Sequence, residues 1–491
     1  MYSFLISVLA LIAGYFIYGK FVERVFSPDF TRPTPAITNT DGVDYVPMPT
    51  WKVFMIQFLN IAGTGPIFGA IMGAKFGPSA YLWIVFGCIF AGAVHDYILG
   101  MLSVRNSGAG LPEIVGMYLG NGVKKVMLVF ALALLLLVGA VFVYSPAVIL
   151  ADITSDGGVN SMMMWIGVIF LYYIMACLLP IDKIVGKIYP VFAIALIFMA
   201  VSLMVCLIIK WPSLPEFWDG LGNLGQQSGL IKGQEIFPCL FITIACGAVS
   251  GFHATQSPLM AKCMQNEKYG RPVFYGAMIT EGLVALIWAA ISSYFFFDSG
   301  AEAVGSTISA SAPVVVGKVS FAWLGLLGGI LALLGVVCAP ITSGDTAFRS
   351  ARLILADFLH IDQQPKRNRI IISLPLFLVA GLLLWYNVAD ENGFNTIWRY
   401  FGWANQTLAV FSFWTATVYL TKTYKDRRYL VTLIPSAFMT AVCLTYICID
   451  KIGFNLPSDW NYAIGLITFV LSIDFFYVWK IRRVNRKSLK Y

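Results

Sequence analysis

The sequence predicts an all-α polytopic membrane protein. Hydrophobic residues make up 59% of its 491 residues and charged residues only 12%, whereas a soluble globular chain has about 25% charged residues. The apolar runs are long, and an outer-membrane barrel would instead show strands of about ten alternating residues. The nine cysteines lack metal-ligand spacing, so we expect neither a disulfide framework nor a metal site.

Apolar runs of about 20 residues, which is the length that crosses the hydrocarbon core, predict about thirteen membrane helices. The expected spans are 2–19, 52–73, 79–103, 124–150, 161–180, 187–209, 237–262, 272–297, 321–350, 367–388, 396–421, 428–449 and 460–481. No small-residue cleavage site follows the first span, so we expect it to be retained as a helix.

The charge distribution predicts the orientation of the chain. The C-terminal tail and the loops on its side are basic, whereas the opposite loops carry the acidic residues Asp152, Asp156, Glu302, Asp390 and Glu391. The positive-inside rule then places the C-terminus in the cytoplasm and, with thirteen spans, the N-terminus outside. The basic tail is interpreted as a topology anchor beside the lipid bilayer, and no nucleic-acid partner is expected.

Two of the expected spans contain glycine and proline in their middles. The first reads Gly63-Thr64-Gly65-Pro66, and the second runs from Gly247 to Pro258. Such sequences free backbone groups that lipid cannot satisfy, so they persist only beside a protein-walled or watery cavity. Broken helices at matching positions of two halves indicate the binding site of a secondary transporter. Glycines that only let helices pack closely are the alternative.

Each broken span opens a group of five spans, which predicts an inverted five-plus-five repeat. The expected units are an N-terminal helix and cytoplasmic segment (1–50), the first repeat (51–210), the second repeat (236–422), and two peripheral helices with the basic tail (423–491). The stretch 298–320 is expected to form an external lid.

Four long motifs resemble the carbon starvation protein A family of bacterial inner-membrane transporters. They are Asn60–Ala70, Gly92–Tyr97, Gly247–Ser257 and Thr342–Arg352. The resemblance implies uptake of peptides, pyruvate or both during carbon starvation, by a transporter of the amino acid–polyamine–organocation superfamily with a LeuT-like core. This chain is similar to the shorter members of that family.

The substrate site is expected between the two breaks. The half-helix that begins near Gly65 and Pro66 offers free N–H groups to an anion such as a carboxylate. Amides near Trp403 can hydrogen-bond a peptide or form an outer gate, although amides also join membrane helices. The candidate substrate-binding residues are Asn60, Gly63, Thr64, Gly65, Ser250, Gly251, His253, Thr255, Gln256, Asn405 and Gln406.

Ionisable residues within spans are costly and are therefore candidates for ion coupling or gating. His253 is expected either to handle the substrate carboxylate or a proton, or to be tied to a freed carbonyl. His95 and Asp96 are adjacent and so point about 100° apart on a helix. They form either a structural network or gate, or part of the transport chemistry. Glu281 is either a proton carrier or a buried hydrogen-bond partner.

A second polar group lies in the span 321–350. Thr342, Ser343 and Thr346 are expected to bring hydroxyls to the carbonyls freed near Ala62 and Gly63, which suits sodium. Asp345 can instead bind a proton. Arg349 lies four residues further on, so a salt bridge that closes the inner gate is the alternative.

Other classes are less well supported. A membrane enzyme needs a nucleophile–base set or a metal cluster, and three histidines without ligand spacing argue against it. A channel does not need two broken helices in an inverted repeat. Within transporters, the family resemblance implies proton coupling, whereas the hydroxyls favour sodium. The residues do not decide between pyruvate, peptide and amino acid, and no cofactor is expected.

The charge distribution makes a direct prediction. A reporter fused after Tyr491 should be cytoplasmic, and a cysteine placed at Asn392 should react with an impermeant reagent added outside. Labelling of that cysteine only in inside-out vesicles would contradict both the orientation and the helix count.

Overall fold

A computed structural model shows an all-helical chain. It describes residues 1–42, 45–154, 158–178, 181–297, 312–362, 365–390, 393–424 and 426–488. The expected lid is only partly covered, since 298–311 lies outside these ranges, as do Asn392 and Tyr491. Residues 312–320 are helical and precede a kink at Gly325, so the lid stays a prediction.

Fifteen helices organise the described residues. They are α1 (Tyr2–Phe26), α2 (Thr50–Ile61), α3 (Gly65–Ala74), α4 (Ser79–Arg105), α5 (Leu111–Leu119), α6 (Asn121–Thr154), α7 (Val159–Leu178), α8 (Ile181–Lys210), α9 (Gly251–Ala261), α10 (Gly276–Phe297), α11 (Ala312–Leu359), α12 (Lys366–Ala389), α13 (Gly393–Thr423), α14 (Leu430–Ile449) and α15 (Asn461–Ser488). Shorter helical turns connect some of them.

Both expected breaks are present. Helix α2 ends at Ile61, and α3 begins at Gly65 with a bend of 49° between their axes. The second segment is helical at Ile236–Leu240 and Phe241–Thr243, then leaves helical geometry and resumes at Gly251. Ser250, immediately before α9, is extended with φ −144° and ψ 124°. Each break therefore exposes main-chain groups in the interior of the protein.

The number of membrane spans is supported only in part. Within the described ranges, nine helices are long and apolar enough to cross a membrane, and the bent pair α2–α3 makes ten. The expected spans 237–262, 321–350 and 396–421 are not among these ten, and each has a physical reason. The first is broken, the second lies in α11, which is kinked at Gly325, and the third lies in α13, which carries polar side chains. The total of thirteen stays a prediction.

Burial separates central helices from peripheral ones. In Glu267–Phe297, 89% of the apolar window is buried, and in Ser79–Arg105 the value is 83%. The corresponding values are 28% for Tyr2–Phe26 and 17% for Ser458–Arg482. The helices next to the breaks thus form the centre, while α1 and α15 lie at the periphery.

The loops gather at two opposite faces. At one face the Met1 ammonium contacts the carboxylate of Glu216, and the Ser79 hydroxyl donates to the Leu221 carbonyl at 2.8 Å. At the other face, which we call the basic face, the segment after α1 covers the helix ends. The Met48 amide donates to the Cys263 carbonyl at 3.0 Å there.

An ion pair between Arg105 and Glu267 stabilises the basic face. Arg105 donates to both carboxylate oxygens of Glu267, at 3.2 and 3.1 Å, and also to the Ser27 carbonyl at 2.9 Å. Its guanidinium lies over the Phe26 ring at 4.1 Å. Phe26, Ser27 and Met48 therefore pack on the loops that the charge distribution assigns to the side of the basic tail.

Candidate substrate and coupling site

Four ionisable side chains meet in the interior beside the second break. The carboxylate of Asp96 lies between two imidazoles, with one oxygen 2.8 Å from His95 Nδ1 and the other 2.8 Å from His253 Nδ1. His253 Nε2 lies 3.4 Å from a carboxylate oxygen of Glu281. All four side chains are fully buried. We call these residues the buried tetrad.

Three helices position the tetrad. His95 and Asp96 come from α4, His253 from the first turn of α9, and Glu281 from α10. A π-helical turn, Cys88–Gly92, precedes the pair on α4, as is frequent at functional sites. The expectation that His95 and Asp96 point apart holds for the backbone. The short Asp96 side chain nevertheless contacts both rings, and the choice between a structural role and transport chemistry stays a prediction.

The tetrad can hold a proton in two places. If both histidines donate Nδ1–H to Asp96, the Nε2 atom of His253 faces Glu281. One proton then resides either on Glu281, as a neutral acid, or on His253, as an imidazolium paired with a carboxylate. The two states differ in the position of that proton. The side chains are buried away from water, so an unpaired charge would be costly in either state.

A hydroxyl from α11 hydrogen-bonds to the main chain at the first break. Ser343 Oγ donates to the carbonyls of Leu59 and Asn60, at 3.1 and 3.3 Å. The expected partners were the carbonyls near Ala62 and Gly63, so the contact lies a few residues earlier on α2. Thr342 and Thr346 donate instead to carbonyls of their own helix. An ideal Cβ on Gly63 would lie 3.4 Å from Ser343 Oγ and 2.8 Å from the Phe142 ring.

Asp345 forms a second, separate buried group. Its carboxylate lies 3.4 Å from the Tyr189 hydroxyl and 3.7 Å from the Arg349 guanidinium. Tyr189 also donates to the Thr342 carbonyl at 3.0 Å, and Arg349 donates to the Ala176 carbonyl at 3.0 Å. The predicted pair Asp345–Arg349 is therefore within ion-pair distance and bound to neighbouring helices.

The two predicted amides bind the backbone of the second break. Asn405 Oδ1 accepts from the Phe252 amide at 2.8 Å and from the Ser250 hydroxyl at 3.1 Å, which caps the N-terminus of α9 from a different helix. Gln406 donates to the Phe241 carbonyl at 3.0 Å. A Cβ on Gly251 would meet the backbone of α13 at Asn405 and Ala409. This glycine therefore permits the close approach of α9 and α13.

Sequence reasoning missed two residues at the breaks. The Trp83 indole donates to the Ile244 carbonyl, which the second break frees, at 2.9 Å. Gln57, one turn before Asn60 on α2, donates to Ser257 at 3.5 Å. No local signal marks Trp83, because its partner is 161 residues away. Gln57 was detectable as a polar residue in an apolar span.

The remaining candidates are polar and buried. Thr255 donates to the Phe252 carbonyl at 2.6 Å, and Gln256 donates to Thr255 at 2.9 Å. The side chains of Asn60 and Thr64 are fully buried and have no hydrogen-bond partner among the described residues. Gly65 packs directly against Cys246, so the two breaks touch at this point.

A cavity of about 770 Å³ leads inward from the basic face. It is lined by the start of α6, the end of α9 and the end of α11, with Thr255, Lys124 and Lys262 among its residues. On the far side of the breaks, a crevice bounded by Gly65, Cys246, Trp398 and Phe401 has no room for a water molecule. The described conformation is therefore open towards the basic face.

Three matches to the model of the family "Carbon starvation protein CstA" span residues 1–210, 152–327 and 326–446. The chain belongs to the carbon starvation protein CstA family. It is 28% identical to a peptide transporter CstA of Campylobacter jejuni, over 90% of this chain and 79% of the relative. It is 25% identical to the pyruvate/proton symporter BtsT of Escherichia coli, over 90% of this chain and 80% of that protein.

An uncharacterized membrane protein of Haemophilus influenzae is 47% identical over 63% of this chain and 95% of that protein. Among solved structures, a mutant manganese transporter of Eremococcus coleocola matches with a TM-score of 0.55, at 12% identity, over 91% of this chain and 99% of the other. The named relatives are transporters, which confirms the predicted transporter class over an enzyme. The structural neighbour shows likeness of fold alone.

The cap on α9 makes a stability prediction. Asn405→Leu should lower the thermal stability of the detergent-solubilised protein, because two donors at the start of α9 lose their acceptor. The loss of a capping group costs about 1 kcal/mol. Asn405→Asp keeps an acceptor at the helix N-terminus and should retain most of the stability. An aspartate variant as unstable as the leucine variant would show that the acceptor is not what matters.

Proposed function

We propose that this protein is a secondary active transporter of the bacterial inner membrane. It imports small carboxylate-bearing nutrients, namely peptides, pyruvate or both, during carbon starvation. Proton entry drives the import by alternating access. The names of its relatives support the substrates, since one is a peptide transporter and another a pyruvate/proton symporter.

Alternating access is supported by the breaks and by the cavity. In the proposal, the chain crosses the membrane thirteen times, and the two groups of five spans are inverted repeats that move against each other. The cavity at the basic face corresponds to an inward-facing state if that face is cytoplasmic. The packing of Gly65 on Cys246 then closes the outer side.

The observation that carries proton coupling is the buried tetrad. A permanently charged carboxylate in the centre of a membrane protein is costly, and a group that gains and loses a proton avoids that cost in one state. His253 lies in the first turn after the second break and contacts both Asp96 and Glu281. Movement of the proton between Glu281 and His253 would therefore change the charge of a residue in the first turn of α9.

The substrate carboxylate is assigned to the space between the breaks. The first turn of α3 has backbone N–H groups without intrahelical acceptors, and the positive end of its dipole favours an anion. Thr64, at the N-cap of α3, has a buried hydroxyl available for the same anion. Pro66 in this first turn lacks an N–H and loses no hydrogen bond.

Sodium coupling is the alternative, and one observation favours it. Ser343 already contacts two carbonyls of α2. Hydroxyl and carbonyl oxygens are hard ligands that suit a small cation. In this version Ser343 and Thr346 bind the ion, and the tetrad is a structural network.

Counterflow and gradient-driven uptake in proteoliposomes test the proposed function. Labelled pyruvate and a labelled dipeptide are supplied in turn, and a proton gradient or a sodium gradient is imposed separately. We expect concentrative uptake with acid outside and no stimulation by sodium at equal pH. Stimulation by sodium alone would overturn proton coupling. Absence of exchange with both substrates would contradict the substrate class.

Glu281→Gln tests the role of the tetrad. The glutamine keeps the size of the side chain but cannot release a proton, so proton-driven accumulation should fall to the level of protein-free liposomes. Exchange of substrate across the membrane need not move the proton, so counterflow should continue. Accumulation at the rate of the original protein would remove Glu281 from the coupling mechanism.

Asp345→Asn tests the second carboxylate in the same two assays. If Asp345 carries a proton near the inner gate, accumulation is abolished and part of the counterflow survives. Equal loss of both activities would show that Asp345 serves the ion pair with Arg349 instead. The two assays thus distinguish coupling from structure at this position.

A further inference from the structure

The amide oxygen of Gln57 has no hydrogen-bond partner among the described residues. Its Nε2 atom lies 3.5 Å from the Ser257 hydroxyl, and Ser257 donates its single proton to the His253 carbonyl at 3.0 Å. Ser257 can therefore only accept from Gln57, which fixes the orientation of the amide. The Gln57 oxygen is left as a buried acceptor without a donor among the described residues.

The same logic applies to Gln256 on α9. Thr255 donates its proton to the Phe252 carbonyl at 2.6 Å, so it must accept from Gln256 Nε2 at 2.9 Å. The Gln256 oxygen is again a buried acceptor without a donor in the described ranges. The amide oxygens of Gln57 and Gln256 thus lack donors within the described ranges for one reason, which is that each neighbouring hydroxyl donates its proton to a carbonyl.

Asn60 adds a third buried acceptor and a donor. It lies three residues after Gln57 on α2, so the two side chains project from the same helix face, with their Cβ atoms about 5–6 Å apart. Both amide atoms of Asn60 are buried and unpartnered within the described residues. Because neither amide atom of Asn60 has a partner, exchanging its oxygen and nitrogen would still leave one unpartnered acceptor and one unpartnered donor.

These groups lie at the level of the tetrad. The start of α2 is beside the end of α9, as the bond from Met48 to Cys263 shows, so the two helices run in opposite directions. Gln57 is level with Ser257. One turn towards the break, about 4.5 Å at 1.5 Å per residue, brings Asn60 to the level of His253.

A ligand that donates hydrogen bonds would satisfy the unpartnered oxygens. A carboxylate only accepts, so it can satisfy the Asn60 N–H group and the amides of α3 but none of these three oxygens. An ammonium group brings three N–H donors. We propose that Gln57 and Asn60 form an ammonium subsite, which makes this transporter selective for carboxylates with a free amine over keto acids and N-blocked compounds.

This inference rests on the proposed binding of a carboxylate between the breaks, and it assigns the second end of the substrate. Its test is competition for counterflow of a labelled dipeptide, alanyl-alanine, in proteoliposomes. The unlabelled competitors are alanyl-alanine, its N-acetyl derivative and pyruvate. N-acetylation removes the ammonium and keeps the carboxylate. We expect the free dipeptide to compete at least about tenfold better than the other two, since hydrogen bonds to charged groups are strong.

Two variants test whether Gln57 determines the preference for a free amine. Gln57→Met keeps the length of the side chain and removes the acceptor, so the preference for the free amine should fall several-fold. Gln57→Glu keeps acceptor oxygens at the same position and should retain the preference. The ratio between free and acetylated dipeptide is the readout, because a general loss of protein or stability would lower both equally.

The outcomes separate the inference from the proposed function. Equal competition by free and acetylated dipeptide in the original protein, with both exchanged, would overturn the ammonium subsite and leave a carboxylate transporter. If pyruvate competes as strongly as the free dipeptide, the ammonium subsite is likewise overturned and the carboxylate transporter is left in place. Failure to exchange any of the three compounds would overturn both. A Gln57→Met variant with full selectivity would contradict the assignment to Gln57.

Discussion

Lipid offers no hydrogen bonds, and this constraint governs the centre of the protein. Each break frees main-chain groups that must find partners inside the protein. Ser343 binds the carbonyls at the end of α2, Trp83 binds the Ile244 carbonyl, and Asn405 caps α9. These partners come from three different helices. The breaks therefore determine how α4, α11 and α13 pack around them.

The same constraint explains why the ionisable residues are grouped. Asp96 is shared by two imidazoles, and one of these also contacts Glu281. Isolated charges at this depth would be costly, whereas a connected set gives each ionisable side chain a polar neighbour. His253 belongs both to this set and to the first turn after a break, so proton position and backbone geometry are linked in one residue.

Much of the fold was predictable from the sequence. Glycine and proline within apolar runs correctly indicated both breaks. The rarity of ionisable residues in spans selected His253, Asp96 and Glu281, which lie together in the structure, while their roles stay predictions. These signals are local, because they depend on composition and spacing along one helix. The motifs at the same positions also correctly indicated the family.

Contacts between distant helices were not predictable. The bridge from Asp96 to His253 spans 157 residues, and the cap from Asn405 to Phe252 spans 153. The helical structure of 312–320, which precedes the kink at Gly325, was also not evident from a small-residue stretch, and the expected lid stays a prediction. The importance of Gln57 depends on the acceptor to which Ser257 donates its single proton, and spacing along one helix does not encode that acceptor.

Proton movement driven by substrate tests the central claim most directly. Proteoliposomes that contain a pH-sensitive dye are prepared with equal pH on both sides, with the membrane voltage clamped and sodium absent. Addition of dipeptide or pyruvate outside should acidify the interior as labelled substrate enters, whereas protein-free liposomes give the background. Entry of labelled substrate without acidification above that background would contradict a coupled proton and the role given to the buried tetrad.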